Sequence, residues 1–221
     1  MSGPTMSMNN FGADNDDNSF ISNRIRRVQY GIVTIGADGD PNQNTIVSDN
    51  EIGPSEFGAD QIGTVGIYLR GDLNAVAERN LIRSVGCLET QDCGPGDRFG
   101  IAIGTDVYSV NTPTSGDGRG YRIERNRISG VVDMKTLSAV GIHVATAFSP
   151  ATGNVIANNY ISDIRSNGGG GRQMSGISIV SGGGDKIVHN SLYLTGDMVP
   201  AGVTSAATYG NAIRLVKPSV S

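Results

Sequence analysis

Six times along the chain, an apolar residue is followed by two outward residues, an asparagine, one more outward residue and a second apolar residue. The copies are Phe20-Ile21-Ser22-Asn23-Arg24-Ile25, Val47-Ser48-Asp49-Asn50-Glu51-Ile52, Ala77-Glu78-Arg79-Asn80-Leu81-Ile82, Ile123-Glu124-Arg125-Asn126-Arg127-Ile128, Ile156-Ala157-Asn158-Asn159-Tyr160-Ile161 and Ile187-Val188-His189-Asn190-Ser191-Leu192. A second module, Gly-apolar-x-apolar, stands before most of them: Gly66-Ile67-Tyr68-Leu69, Gly100-Ile101-Ala102-Ile103, Gly141-Ile142-His143-Val144 and Gly176-Ile177-Ser178-Ile179. Its glycines are 34, 41 and 35 residues apart. Recurrence at this spacing is the mark of a chain that stacks similar units.

Each module is short, rich in Ile and Val, and alternates apolar with polar residues. That is the period of a half-buried strand, and no segment sustains the period of a helix. A strand recurring in the same order is best met by coiling, each module pairing in parallel with its copy about 4.8 Å away one turn later. Parallel crossovers of this kind are right-handed. In such a coil Asn23, Asn50, Asn80, Asn126, Asn159 and Asn190 stack as a ladder at one bend. Stacked amides satisfy one another, whereas a lone buried amide costs about 1–3 kcal/mol.

On these two modules the chain resembles the single-stranded right-handed parallel β-helices of the pectate-lyase-like superfamily, over about residues 18–216. The resemblance implies an all-β solenoid of about six coils with loop insertions, preceded by a polar segment at 1–17. It also implies an extracellular module that binds polysaccharide, within an adhesin, a tailspike or a carbohydrate-active protein. A lyase or hydrolase acting on acidic polysaccharide, or a non-catalytic spacer, are the alternatives. The polygalacturonase signature of three aspartates, Gly-His-Gly and Arg-x-Lys does not occur: His143 follows Gly141-Ile142, and Arg214-Leu215-Val216-Lys217 is one residue too long. The clustered strand aspartates of calcium-dependent pectate lyases are not seen either. No catalytic residue carries over, and a fold alone supplies no activity.

Net charge is −4 with scattered basic residues, which disfavours duplex nucleic acid as a partner. No run of eighteen apolar residues offers a membrane span. Glycine occupies 32 of 221 positions, twice the usual share of about 7%, as bends and loops require. Neither the polar start nor Ala212-Ile213-Arg214-Leu215-Val216, which reads as the strand of a further coil, supplies the cap a repeat stack needs. The expectation is a piece of a longer protein, or end-to-end or trimeric self-association. Cys87 and Cys93 enclose five residues. A disulfide between them implies an oxidising compartment and a secreted or cell-surface protein; a pair of free thiols is the other reading.

The x positions of the glycine module form an outward column, read as Thr34, Tyr68, Ala102, His143, Ser178 and Arg214. Tyr68 and Ser178 flank His143 as substrate contacts, with proton transfer from His143, charge from Arg214 and a carboxylate from Asp106. A mixed, solvated sheet face is the plain alternative. Beside the asparagines, Arg125, Arg127 and Tyr160 offer a saccharide face, although alternating Arg and Glu is also what a solvated parallel sheet needs. Tyr108 and Phe148 lie on long insertions, where binding groups tend to sit. Asp38 and Asp40 stand at alternate positions before Pro41, as in calcium loops. Gln43 occupies the place where such a loop needs glycine, so an ordinary polar turn fits as well. No other cofactor is expected.

Overall fold

The computed structural model describes residues 15–37, 39–91, 94–105, 107, 118–135, 137–146, 152–166, 173–194 and 209–216. The described residues contain strands and no helix. Each coil gives one strand to each of three parallel six-stranded sheets. The first sheet holds Ser19–Ile21, Ile46–Ser48, Val76–Glu78, Arg122–Glu124, Val155–Ala157 and Lys186–Val188. The second holds Arg24–Ile25, Glu51–Ile52, Leu81–Cys87, Arg127–Asp133, Tyr160–Ser166 and Ser191–Tyr193. The third holds Tyr30–Ile35, Val65–Arg70, Arg98–Ile103, Ala139–Ala145, Gln173–Ser181 and Tyr209–Leu215. The chain is a parallel β-helix.

Register follows the sequence modules. Phe20, Val47, Ala77, Ile123, Ile156 and Ile187 are successive partners in the first sheet. Ile25, Ile52, Ile82, Ile128, Ile161 and Leu192 are successive partners in the second. Both columns point into the coil and meet Ile67, Ile101, Ile142 and Ile177 of the third sheet in one apolar core.

The asparagines stand between these columns and form the expected ladder. Each donates both its backbone N–H and its Nδ2 to the Oδ1 of the next: from Asn80 to Asn126 at 3.0 and 3.0 Å, and from Asn126 to Asn159 at 3.0 and 3.0 Å. The second Nδ2 hydrogen reaches back to the coil before, to the Ala77 carbonyl from Asn126 and to the Ile123 carbonyl from Asn159. The residue before each asparagine is left-handed: Ser22, Asp49, Arg79, Arg125, Asn158 and His189 have φ of 59°, 58°, 53°, 56°, 58° and 55°. That conformation costs a non-glycine residue about 1–2 kcal/mol. It makes the sharp corner that turns the asparagine inward and throws its predecessor outward, so the ladder is what holds six strained corners in place.

The glycine module has a steric cause. A Cβ on Gly100 would lie 2.5 Å from Ile128 Cγ2 and 2.6 Å from the Gly141 carbonyl oxygen. On Gly141 it would lie 2.6 Å from Ile161 Cγ2 and 2.6 Å from the Gly176 oxygen. Gly66 meets Ile82 and Gly100 in the same way. The two modules therefore interlock: the isoleucine after each asparagine fills the space that the preceding glycine leaves.

Gly100→Ala forces a methyl into a filled corner and should cost about 1–3 kcal/mol in urea unfolding. Asn126→Leu strands the Asn80 donors and the Ala77 carbonyl and removes one donor to Asn159 Oδ1 at once, so its loss should exceed that of Asn23→Leu, which removes only the side-chain bond to Asn50. Equal losses for the two asparagine variants would contradict a cooperative ladder.

Candidate functional site

The third sheet carries the column proposed for chemistry. Its register partners are Val33, Tyr68, Ala102, His143, Ser178 and Arg214. Thr34 is out of this column: it pairs with Leu69 and turns inward, where its hydroxyl donates to Asp72 Oδ2 at 2.8 Å. An apolar residue in the outward place and a hydroxyl in the inward place had masked the alternation. His143 and Arg214 are two coils apart with Ser178 between them, and Tyr68 is two coils to the other side.

The expected solvent exposure of the column is corrected. Tyr68, Ala102, His143 and Ser178 are all buried. A second apolar cluster lies on the outer side of the sheet, built from Val65, Tyr68, Phe99, Ala102 and Val140. His143 is 0% exposed, its ring stacked on Phe99 with centroids 4.9 Å apart, and it bonds to the backbone of Val107. Burial pushes its pKa down to about 3, against the smaller upward pull of the Val107 bond. Among the described residues the column is an outer core layer. The Ser178 hydroxyl is likewise buried, with no hydrogen-bond partner among the described residues. Arg214 is half-buried, which lowers its pKa. Asp106 and Tyr108, with Phe148, lie outside the described residues.

The exposed charges gather beside the asparagine corner. Glu51 takes Arg24, Arg26 and Arg83 at 3.1, 3.1 and 2.8 Å. Arg79 bridges Asp49 and Glu78 at 2.8 and 2.6 Å, and Arg125 pairs with Glu78. The hydrogen bond from Arg26 holds Glu51 below the usual carboxylate range, and that from Arg79 does the same for Asp49. Arg125 is thus committed within the chain. Arg127 differs. It has no ion pair among the described residues, and its guanidinium lies 5.6 Å from the ring centre of Tyr160 on the next coil. Tyr160 is 41% exposed.

Three features escaped sequence reasoning. Arg98 is fully buried and pairs with Asp133 at 3.1 Å, while Asp133 also accepts the Lys135 and Leu137 N–H groups. Asp72 is buried among neutral donors, Thr34, Thr45 and Asn42, and burial raises its pKa despite them. Both lie in irregular corners, where no period marks them. The third is a cleft at the corner between the second and third sheets, treated below. Asp40 is in a tight turn, exchanging backbone bonds with Ala37 at 3.1 and 3.2 Å; Asp38 lies outside the described residues. No cluster of three or more metal-binding side chains occurs among the described residues. Cys87 is disulfide-bonded, and Cys93, the other cysteine, lies outside the described residues. No protein-family profile, curated protein or solved structure matches the chain.

His143 generates a test. The folded chain keeps it neutral far below pH 6.5 while the unfolded chain takes up a proton there. Its contribution is complete above about pH 6.5 and falls by about 1.4 kcal/mol per pH unit on acidification toward pH 3. Urea midpoints measured from pH 7 to pH 5 should decline more steeply for the parent chain than for His143→Phe. Parallel declines would mean that the imidazole is not buried neutral.

Proposed function

We propose that this chain is a secreted β-helix module that binds acidic polysaccharide on the outward face of its second sheet, centred on Arg127 and Tyr160. The observation that carries this reading is the uncommitted guanidinium of Arg127 against the exposed ring of Tyr160. Neighbouring arginines on this corner are neutralised by carboxylates, and a ligand would have to break those pairs. Arg127 needs no such exchange. Its fork suits a planar carboxylate, and the phenol ring offers a face to a sugar's C–H side.

The next coil extends the face. Tyr160 pairs with Ser191 and Ser162 with Tyr193, which sets Tyr193 diagonally beside Tyr160 at roughly 8 Å on the same side. Tyr193 is 63% exposed. The core beneath is aliphatic and the corner is locked by the asparagine ladder, so the face is rigid before any ligand arrives, and little ordering cost accompanies binding. The resemblance to pectate-lyase-like β-helices and the disulfide at Cys87 support an extracellular polysaccharide partner. The burial of His143 removes the support for a lyase or hydrolase using it.

Affinity electrophoresis through gels containing an acidic or a neutral polysaccharide tests the assignment. Retardation should occur in the acidic gel and weaken with added salt. Arg127→Ala and Tyr160→Ala should each weaken it about tenfold, equivalent to about 1.4 kcal/mol, and Arg24→Ala should leave it nearly unchanged. Equal mobility in both gels, or equal retardation of all three variants, would refute the proposal.

A further inference from the structure

A cleft of about 430 Å³ opens at the corner between the second and third sheets of the first three coils, and Arg127 is not among its lining residues. Its walls are the turn carrying Arg27, Val28 and Gln29, the loop carrying Gly58, Ala59, Gln61 and Gly63, and Gly86 with Gln91. The volume lies in the range of small-molecule sites, about 300–1,000 Å³.

The walls are built rather than incidental. Arg27 N–H donates to the Asp60 carbonyl at 2.9 Å, Gly63 N–H to Val28 at 2.9 Å, Thr64 N–H to Gln29 at 2.8 Å and Gly86 N–H to Ile62 at 2.8 Å. Gln61 and Gln91 form a reciprocal amide pair at 2.9 Å in each direction, and Gln61 Nε2 also donates to the Gly86 carbonyl at 2.7 Å. Gln29 Oε1 accepts from Thr64 Oγ1 at 2.9 Å. These bonds use up the amide oxygens of Gln29 and Gln61. Gln29 Nε2 makes no hydrogen bond and the Arg27 guanidinium no ion pair among the described residues, and both side chains belong to the lining. No carboxylate is among the described lining residues. Gly58 presents bare backbone, Gly63 lies under the Gln29 amide, and Val28 and Ala59 present small apolar surface.

A cleft with donors in excess, a single positive charge and a flat flank selects an anion with a planar acceptor pair. We propose that it is a second binding site, independent of the Arg127 face, for a small hydroxylated carboxylate such as a sugar acid. Arg27 would take the carboxylate in a bidentate pair, Gln29 Nε2 would donate to an adjacent oxygen, and the ring would lie along Gly58 and Ala59. The same chemistry is offered by a free sugar acid and by an acidic end unit of a polysaccharide.

The test is a titration of the whole chain with glucuronate followed by amide NMR, with glucose and acetate as controls. Glucuronate should shift the amides of Gln29, Gln61, Gly63 and Gln91 in a saturable way, more tightly than acetate, and glucose should not. Arg27→Ala should weaken glucuronate at least tenfold. Gln29→Glu keeps an oxygen for Thr64 and places a like charge in the cleft, so it should abolish binding with the remaining amide spectrum unchanged. Arg127→Ala should leave glucuronate binding intact, which separates this site from the polysaccharide face. Saturation by a reducing-end-free acidic oligosaccharide but not by glucuronate would assign the cleft to chain ends and overturn the free-acid source. Shifts of equal size with glucose, shifts confined to other residues, or unchanged affinity in both cleft variants would overturn the site itself.

Discussion

At one bend every coil turns through a left-handed residue that is not glycine, and the asparagine that follows it ties that corner to the neighbouring coils. The amide is the one side chain that presents two donors and one strong acceptor in the plane of the stack. Each Oδ1 serves the N–H and Nδ2 of the coil before, and each Nδ2 also reaches a carbonyl of the preceding coil. Aspartate lacks the donors, and leucine lacks everything the corner needs. With the corner angle settled this way, the apolar residues three before and two after the asparagine must both enter the core. The rest of the architecture then depends on that entry: isoleucine columns inside, charged or polar predecessors outside, and a register that repeats from Phe20 to Ile187 and from Ile25 to Leu192.

This explains which parts of the molecule were legible in its sequence. The asparagine and glycine modules are repeated because the same contact is made in each coil, so their spacing reports three-dimensional register directly. Alternation within a strand distinguishes the inside of the coil from its outside. It says nothing about whether the outside is wet. His143 and Tyr68 were placed in the right column and on the right side, yet they are buried under a second layer that includes Phe99 and Val140. Val65, Phe99 and Val140 stand before their glycines in three successive coils, an apolar column that the alternation alone did not assign to an outer layer. The displacement of Thr34 has a similar origin: a threonine whose hydroxyl is satisfied by a buried carboxylate behaves as an inward residue. Asp72 and Arg98 stayed invisible because their partners come from distant corners rather than from neighbours in the repeat.

The buried polar groups have one feature in common. Asp72, the Arg98–Asp133 pair and His143 all connect strands to the irregular segments that leave the coil between the second, third and first sheets. The straight runs need only apolar packing, strand pairing and the asparagine ladder. Where insertions interrupt the coil, apolar contacts alone would not select one arrangement, and directed bonds to Asp133 or Asp72 do. Burying such groups stabilises little in net terms, but it defines where each insertion returns to the stack.

Charge on the surface obeys the same division. A parallel stack sets equivalent residues of successive coils about 4.8 Å apart, so a column of arginines would repel itself. The chain answers with Glu51 and Glu78, each shared between two or more arginines, and with Asp49, paired with Arg79 of the next coil. These pairs are exposed and contribute little stability; their effect is to keep the sheet's outer face electrically quiet. Against that quiet face, a guanidinium without a carboxylate stands out physically. It keeps its full field and is free to exchange water for a ligand anion without first breaking a bond. Arg127, beside an aromatic ring, and Arg27, above a cleft of fixed amides, are two such positions. The coil that made a regular surface easy to build is therefore also what makes a departure from regularity interpretable as a site.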